Sequence, residues 1–141
     1  MKHHFENHDL VTERCSQLVD LTNDLVGAVE RAEVANGMAL VYTPHTTCAI
    51  VINELDEGIA DDFAEALEGL APEAQRYRHD ERDGEHAPNG HSHVRAGMLA
   101  SPSQTIPIVD GAVLLGRYQR VFLCELDGAR ARKVFIQVIG E

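Results

Sequence analysis

The chain has 141 residues, the size of one typical domain, and its 23 acidic and 12 basic side chains give a net charge of −11. We therefore expect a single domain spanning residues 1–141. The negative charge argues against nucleic acid or an anionic membrane surface as the main partner. Three widely spaced cysteines, no C-x-x-C pair and no apolar stretch of membrane-spanning length favour a cytoplasmic protein with reduced thiols.

The first half of the chain alternates short apolar runs with two segments of helical periodicity. The apolar runs are rich in β-branched residues, which favours buried strands. The helical segments repeat their apolar residues at a spacing of three to four. In chain order we expect a strand over 16–21, a helix capped by Thr22, Asn23 or Asp24 and ended by Asn36-Gly37, strands over 38–42 and 47–52, and a helix over 55–70.

The second half begins with a polar segment from Glu73 to Gly90, whose composition predicts a long loop. A short helix is expected over 92–100, with His93 in its first turn. Asp110-Gly111 and Asp127-Gly128 each lie between two apolar runs, the sequence pattern of a β-hairpin. The expected strands are 106–109 with 112–115, and 121–126 with 133–139. The pattern as a whole predicts an α+β fold with a mostly antiparallel, sandwich-like core and two or three helices.

Four histidines, His45, His79, His91 and His93, lie in or beside polar segments of the central part of the chain. Neutral imidazole binds divalent metals such as zinc and also transfers protons near neutral pH. A set of His45, His79 and His93 would leave coordination positions open for water or substrate. His91 and His93 face the same way only in extended backbone, so a helix makes His93 the better candidate. His3, His4 and His8, at the N-terminus, are expected to be only polar residues of an edge strand.

Other polar residues accompany apolar strands and leave alternatives open. Glu54 can orient an imidazole, act as a general base or cap the following helix. Gln119 heads an apolar run, so it lies at a sheet edge or serves a site. Glu125, inside the same run, is expected to be structural and paired with an arginine across an interface. Cys48 is expected to pack in the core, because positions 45 and 48 of a strand face opposite sides.

Six blocks of residues occur in a characteristic order along the chain. They are His45-Thr46-Thr47-Cys48-Ala49, Asn53-Glu54, Tyr77-Arg78-His79-Asp80, the segment Asn89 to Ala96, Ile106-Pro107 with Gly111, and Leu115-Gly116-Arg117-Tyr118-Gln119. Together these blocks resemble the YjbQ family, with Tyr118 in place of an expected tryptophan. The resemblance spans nearly the whole chain and implies a compact α+β protein that forms homotrimers. It also implies secondary thiamine-phosphate synthase activity, which is ascribed to many members.

The resemblance implies that an aminopyrimidine diphosphate is joined to a thiazole phosphate with release of pyrophosphate. A divalent metal ion, zinc or magnesium, would neutralise the charge of the leaving group. Two alternatives stay open: a metal-assisted hydrolase of a small phosphorylated or amide substrate, and a non-catalytic trimer that binds a metal or small ligand. The implied site residues are His45, His79, His93 and His91 as metal ligands, Asn53, Glu54 and Gln119 as catalytic residues, and Asn89, Arg95 and Arg117 as substrate-binding residues.

Overall fold

The computed structural model describes residues 1–82 and 88–141. Within these ranges the chain forms eight strands and four helices. No helix in the described ranges is long and apolar enough to cross a membrane. In chain order the elements are β1 (Lys2–Val11), β2 (Gln17–Asp20), α1 (Thr22–Ala32), β3 (Gly37–Tyr42), β4 (Cys48–Asn53), α2 (Glu57–Leu70), α3 (Arg78–Arg82), α4 (Gly90–Leu99), β5 (Ser103–Val109), β6 (Ala112–Val113), β7 (Arg120–Glu125) and β8 (Ala131–Gly140).

The strands form two antiparallel sheets that share one apolar core. The larger sheet has the order β1-β8-β3-β5-β6 and the smaller has the order β2-β7-β4. Side chains from both sheets and from α1 meet in the core, while α2 and α4 cover the other face of the smaller sheet. The predicted α+β class with a sandwich-like antiparallel core is confirmed.

The extra helix, α3, lies inside the segment from Glu73 to Gly90 that was expected to be a loop. It spans only five residues, none of them buried, so it has no apolar face from which periodicity could predict it. Residues 83–87 of that expected loop lie outside the described part of the chain.

The two long helices begin differently. Asp56 caps α2, because its carboxylate accepts a hydrogen bond from the Ile59 backbone N–H at 3.0 Å. In α1 the expected caps Thr22, Asn23 and Asp24 are wrong, since these residues lie within the helix. The carboxylate of Asp20, just upstream, instead accepts the hydrogen bond from the backbone N–H of Thr22 at 2.9 Å.

The first predicted hairpin is confirmed and the second is wrong. Asp110 and Gly111 both have positive φ, 51° and 78°, as a two-residue turn between β5 and β6 requires. At Asp127-Gly128, β7 and β8 enter different sheets. Both edges of β7 are taken by β2 and β4, and both edges of β8 by β1 and β3, so the two strands cannot pair. The connection between them therefore passes from one sheet to the other.

The outer face of the larger sheet carries an exposed row of aromatic rings. Phe5 on β1 stacks on Phe135 of β8 with ring centroids 5.6 Å apart, and Tyr42 of β3 stacks on the same ring at 6.2 Å. Phe5 is 55% exposed and Tyr42 is 39% exposed. An apolar row of this kind on a sheet face is typical of a surface that another chain covers.

The edge strand β1 carries a compact ion-paired cluster around Glu6. The two oxygens of the Glu6 carboxylate accept hydrogen bonds from Arg31 at 2.6 and 2.9 Å. His4 and His8, two residues away on either side, contact the same carboxylate at 2.6 and 2.8 Å. The hydrogen bonds from Arg31, with smaller contributions from the two histidines, lower the pKa of Glu6 from 4.5 to about 2 against the opposing effect of burial.

We predict a pH-dependent contribution of Glu6 to stability. Its carboxylate has a lower pKa in the folded chain, so it stabilises the fold fully above about pH 4.5 and loses this effect as the pH falls toward about 2. The difference in unfolding free energy between wild type and Glu6→Gln should therefore shrink across that range. Urea unfolding at a series of pH values measures it, and a difference that does not change with pH would contradict the prediction.

Candidate functional site

Two of the candidate histidines are in direct contact. The ring of His79, on α3, meets the ring of His93, on α4, edge to face with centroids 4.6 Å apart. His79 is exposed and His93 is half-buried. The structure thus brings together two imidazoles that lie 14 residues apart in the sequence, on two short helices, and we call them the histidine pair.

Polar contacts fix the two helices that carry this pair. Asp80 of α3 accepts hydrogen bonds from the backbone N–H groups of Asn89 and Gly90 at 3.0 and 2.8 Å. At Gly90 the start of α4 lies so close to the residue before α3 that a Cβ atom would be 2.4 Å from Cβ of Tyr77. The Ser92 hydroxyl donates to the backbone oxygen of Leu126, at the end of β7, at 2.5 Å. The start of α4 is therefore held against both α3 and the smaller sheet.

His45 lies between β3 and β4 and its ring is fixed by the backbone. Its Nε2 accepts a hydrogen bond from the Lys133 backbone N–H at 2.8 Å. Burial and the nearby Arg132 charge lower the pKa of His45, so the imidazole is neutral at pH 7. A neutral ring that accepts at Nε2 carries its proton on Nδ1, which leaves neither nitrogen lone pair available to a metal in this arrangement.

A buried ion pair joins the two sheets behind this region. Glu125, at the end of β7, is fully buried, and Arg132 of β8 is 6% exposed. Arg132 donates to both carboxylate oxygens, from Nε at 2.7 Å and from Nη2 at 2.6 Å. Nη2 also donates to the hydroxyl of Thr47 at 3.0 Å. The predicted pairing of Glu125 with an arginine is found, and the partner belongs to the same chain.

The surroundings of Glu125 keep it ionised. Burial alone would raise its pKa, but hydrogen bonds from Arg132, the Asp127 backbone and Thr12 outweigh burial and hold the pKa below its usual range. The Cys48 thiol lies 3.7 Å from the same carboxylate. Burial and this negative charge raise the pKa of Cys48 to about 12, so the thiol stays protonated and is a poor nucleophile.

Two adjoining pockets open beside these residues. The larger cleft, about 490 Å³, has His45 and His93 in its walls together with small residues of α4 and the loops flanking β3 and β4. The smaller polar pocket, about 210 Å³, is lined by Thr46, Thr47, Asn89, His93, Asp127, Arg130 and Arg132. Thr46 and His93 line both pockets, so the two spaces adjoin at these residues.

Two predicted site residues in this part of the fold contact neighbouring segments and line neither of these two pockets. His91 lies against Tyr77, with ring centroids 6.4 Å apart, and is not in the contact between His79 and His93. Arg95 is buried, donates to the Ala71 backbone oxygen from Nε and Nη2, and pairs with Glu68. Asn89, by contrast, does line the small pocket, where its amide donates to Asp127 at 2.9 Å.

Another group of predicted residues lies at the opposite end of the smaller sheet. In the register of β4 and β7, Cys48 lies opposite Glu125 near the histidines, whereas Asn53 lies opposite Arg120 at the far end of β4. Five residues of strand separate these ends by about 16 Å at roughly 3.3 Å per residue. The predicted residues at this far end are Asn53, Glu54, Arg117 and Gln119. Within one chain, therefore, the structure does not bring them to the histidine pair.

The described residues of one chain do not form the expected metal site. Among them no group of three or more His, Cys, Asp or Glu side chains is arranged to hold a metal ion. The histidine pair supplies two imidazoles, and the Nε2 of His45 is engaged with the backbone. A metal at the pair would need further ligands beyond the described residues of one chain.

Sequence reasoning missed Arg132 as a site residue, although a local signal was present. Residues of a strand alternate between faces, so Arg132 shares its face with Val134 and Ile136, which are buried. An arginine on a core-facing position requires a carboxylate partner. Glu125, which stands among the apolar residues of β7, is the corresponding signal on the other strand.

Comparison with known proteins gives a consistent result. A family model described as "UPF0047 protein YjbQ-like" matches residues 6–141. A UPF0047 protein of Archaeoglobus fulgidus is 36% identical, with 92% of this chain and 97% of that protein covered. The crystal structure of a YbjQ-like protein from Sulfolobus solfataricus has a TM-score of 0.92 and 30% identity and covers 99% of both chains. A YjbQ/UPF0047 family structure from Clostridium acetobutylicum has a TM-score of 0.87 and 37% identity, covering 95% of this chain and 99% of that chain.

Proposed function

Since this chain belongs to the UPF0047 (YjbQ-like) family, we propose that it is an enzyme of the secondary thiamine-phosphate synthase type. It joins an aminopyrimidine diphosphate to a thiazole phosphate and releases pyrophosphate. The observation that supports this proposal is the position of His93, which lines both the larger cleft and the small polar pocket. In this proposal the heterocycle occupies the larger cleft and a phosphorylated group occupies the small polar pocket.

The residues present suit a reaction in which a diphosphate leaves. The thiazole nitrogen bonds to the carbon that carries the diphosphate while the bond from that carbon to the leaving oxygen breaks, and the electron pair and negative charge stay on the diphosphate. The hydroxyl and guanidinium donors of the small pocket can stabilise that charge, and the histidine pair can supply a proton to it. The expected divalent cation is assigned in this proposal to the diphosphate itself, since one chain offers no set of three protein ligands among its described residues.

The experiment is a turnover assay on the purified protein with both precursors and Mg²⁺. Formation of thiamine phosphate with one pyrophosphate released per product supports the proposal. Hydrolysis of either precursor without joining them would favour the metal-assisted hydrolase. Thermal stabilisation by the precursors without any turnover would favour a protein that only binds a small ligand.

We also propose that the chain works as a cytoplasmic homotrimer. The exposed aromatic row of Phe5, Phe135 and Tyr42 supports association, because a neighbouring chain would cover it. All three thiols are free, which fits a reducing compartment. In this arrangement Asn53, Glu54 and Gln119 act as catalytic residues through a neighbouring copy, since within one chain they lie at the far end of β4.

A mixing experiment tests the shared site. If each site combines His93 of one chain with Glu54 of its neighbour, then His93→Ala and Glu54→Ala are each inactive alone. Mixed trimers made by co-expression should regain part of the activity, because some sites then contain neither substitution. A monomer by light scattering, or mixed trimers that stay inactive, would contradict the proposal.

A further inference from the structure

The Arg132 guanidinium has one edge that the protein does not use. Nε and Nη2 are occupied by Glu125 and Thr47, as described above. Nη1 makes no hydrogen bond to another described residue. In the described ranges, every side-chain nitrogen or oxygen atom that is buried has a hydrogen-bond partner. Nη1 must therefore be reached by solvent, although the residue as a whole is 6% exposed. Arg132 lines the small polar pocket and also a groove beside His45 and Lys133. Thr47, which Nη2 contacts, lines the small pocket and not that groove, so the guanidinium reaches the small pocket on this side.

Thr47 supplies a second donor to the same pocket. Its oxygen accepts the hydrogen bond from Nη2 of Arg132, and its own hydroxyl hydrogen has no acceptor among the described residues. Thr47 is 5% exposed and lines the pocket beside Arg132. A nearly buried hydroxyl and a nearly buried guanidinium edge, both with donors to spare, are suited to an acceptor oxygen of a ligand.

The carboxylates near the pocket are already engaged. Glu125 accepts hydrogen bonds from Arg132, from Thr12 at 2.8 Å and from the backbone of Leu126 and Asp127 at 3.0 and 2.9 Å. Asp127, in the pocket wall, accepts from the Asn89 amide at 2.9 Å and pairs with Arg130 at 3.1 Å. Each carboxylate is thus paired with an arginine, Glu125 with Arg132 and Asp127, through its Oδ2, with Arg130.

We propose that the small polar pocket binds a phosphate oxyanion of the substrate through Nη1 of Arg132 and the hydroxyl of Thr47, and that Glu125 is the positioning residue that holds Arg132 in place. This deepens the proposed function and rests on it for the identity of the substrate. Bidentate contact with Glu125 fixes the plane of the guanidinium, so its free edge is presented without loss of side-chain entropy on binding. The phosphate then lies beside His93, and the rest of the ligand extends into the larger cleft.

The test is calorimetric titration of inorganic pyrophosphate, without metal and without the second precursor. Thr47→Val, which removes the hydroxyl, should weaken binding about tenfold or more, because a hydrogen bond to a charged group is lost. Thr47→Ser should keep the affinity within about threefold, since the hydroxyl remains. Thr105→Val, an exposed threonine on β5, is the matched control and should bind like wild type.

Further arms separate the possible outcomes. Arg132→Lys should also lose pyrophosphate binding, and if that variant does not fold, Thr47→Val decides the test. Titration with acetate should show weaker binding than orthophosphate if the pocket selects phosphate rather than any carboxylate. No binding by wild type, or equal affinity in Thr47→Val, would overturn the proposal. Pyrophosphate binding of the expected pattern without thiamine phosphate formation would refute the transferase and leave the oxyanion site intact.

Discussion

Replacement of Glu125 by alanine is expected to lower the free energy of unfolding by about 3–5 kcal/mol. Glu125 is fully buried and is the counter-ion of Arg132, which is itself 6% exposed. The substitution would leave a guanidinium between the two sheets without a compensating charge, together with several backbone and side-chain donors that lose their acceptor. Urea unfolding followed by circular dichroism measures the change.

Two controls make this prediction specific to the buried pair. Glu81→Ala removes an acidic partner of Arg76, but both of these side chains are exposed, so the loss should stay below about 1 kcal/mol. Replacing the whole buried pair with Glu125→Leu and Arg132→Met should cost less than Glu125→Ala alone, because no unpaired charge remains. If Glu125→Ala lowers the free energy of unfolding no more than Glu81→Ala does, then the buried ion pair does not stabilise the contact between the two sheets.

Replacement of His93 by alanine is expected to lower the turnover of the proposed transferase about 10²–10⁴-fold, the usual range for the loss of a group that transfers a proton in the transition state. His93 contacts His79 and lines both pockets, so it is the imidazole nearest to where the heterocycle and the phosphate would meet. Steady-state rates of pyrophosphate release, together with unfolding curves, separate a catalytic loss from a folding defect.

His3→Ala is the matched control for this variant. His3 is an exposed histidine on β1 whose ring contacts Gln137 at 3.2 Å, and it lines neither pocket. Its removal should leave turnover within about twofold, since surface substitutions rarely affect a distant site. Equal turnover in His93→Ala and wild type would remove the histidine pair from the mechanism, whatever the stability of the variant.

Much of the fold follows from local patterns in the sequence. Short apolar runs rich in β-branched residues predict β3, β4 and β8, because such residues favour buried strands. The Asp110-Gly111 turn follows from the need for positive φ at both positions. The same dipeptide at Asp127-Gly128 predicted a hairpin that does not form. Whether β7 and β8 can pair depends on which strands occupy their edges, and other strands occupy them here.

The sequence by itself determined the fold class and the candidate histidines, since periodicity and polar composition are local properties of the chain. Only the tertiary structure decided which side chains meet. His79 contacts His93, and Glu125 pairs with Arg132, whereas Glu54 lies at the far end of β4. The physical reason is that these contacts join different elements, and their geometry depends on the strand order of two sheets. That order results from packing of the whole core, and no short segment of sequence specifies it.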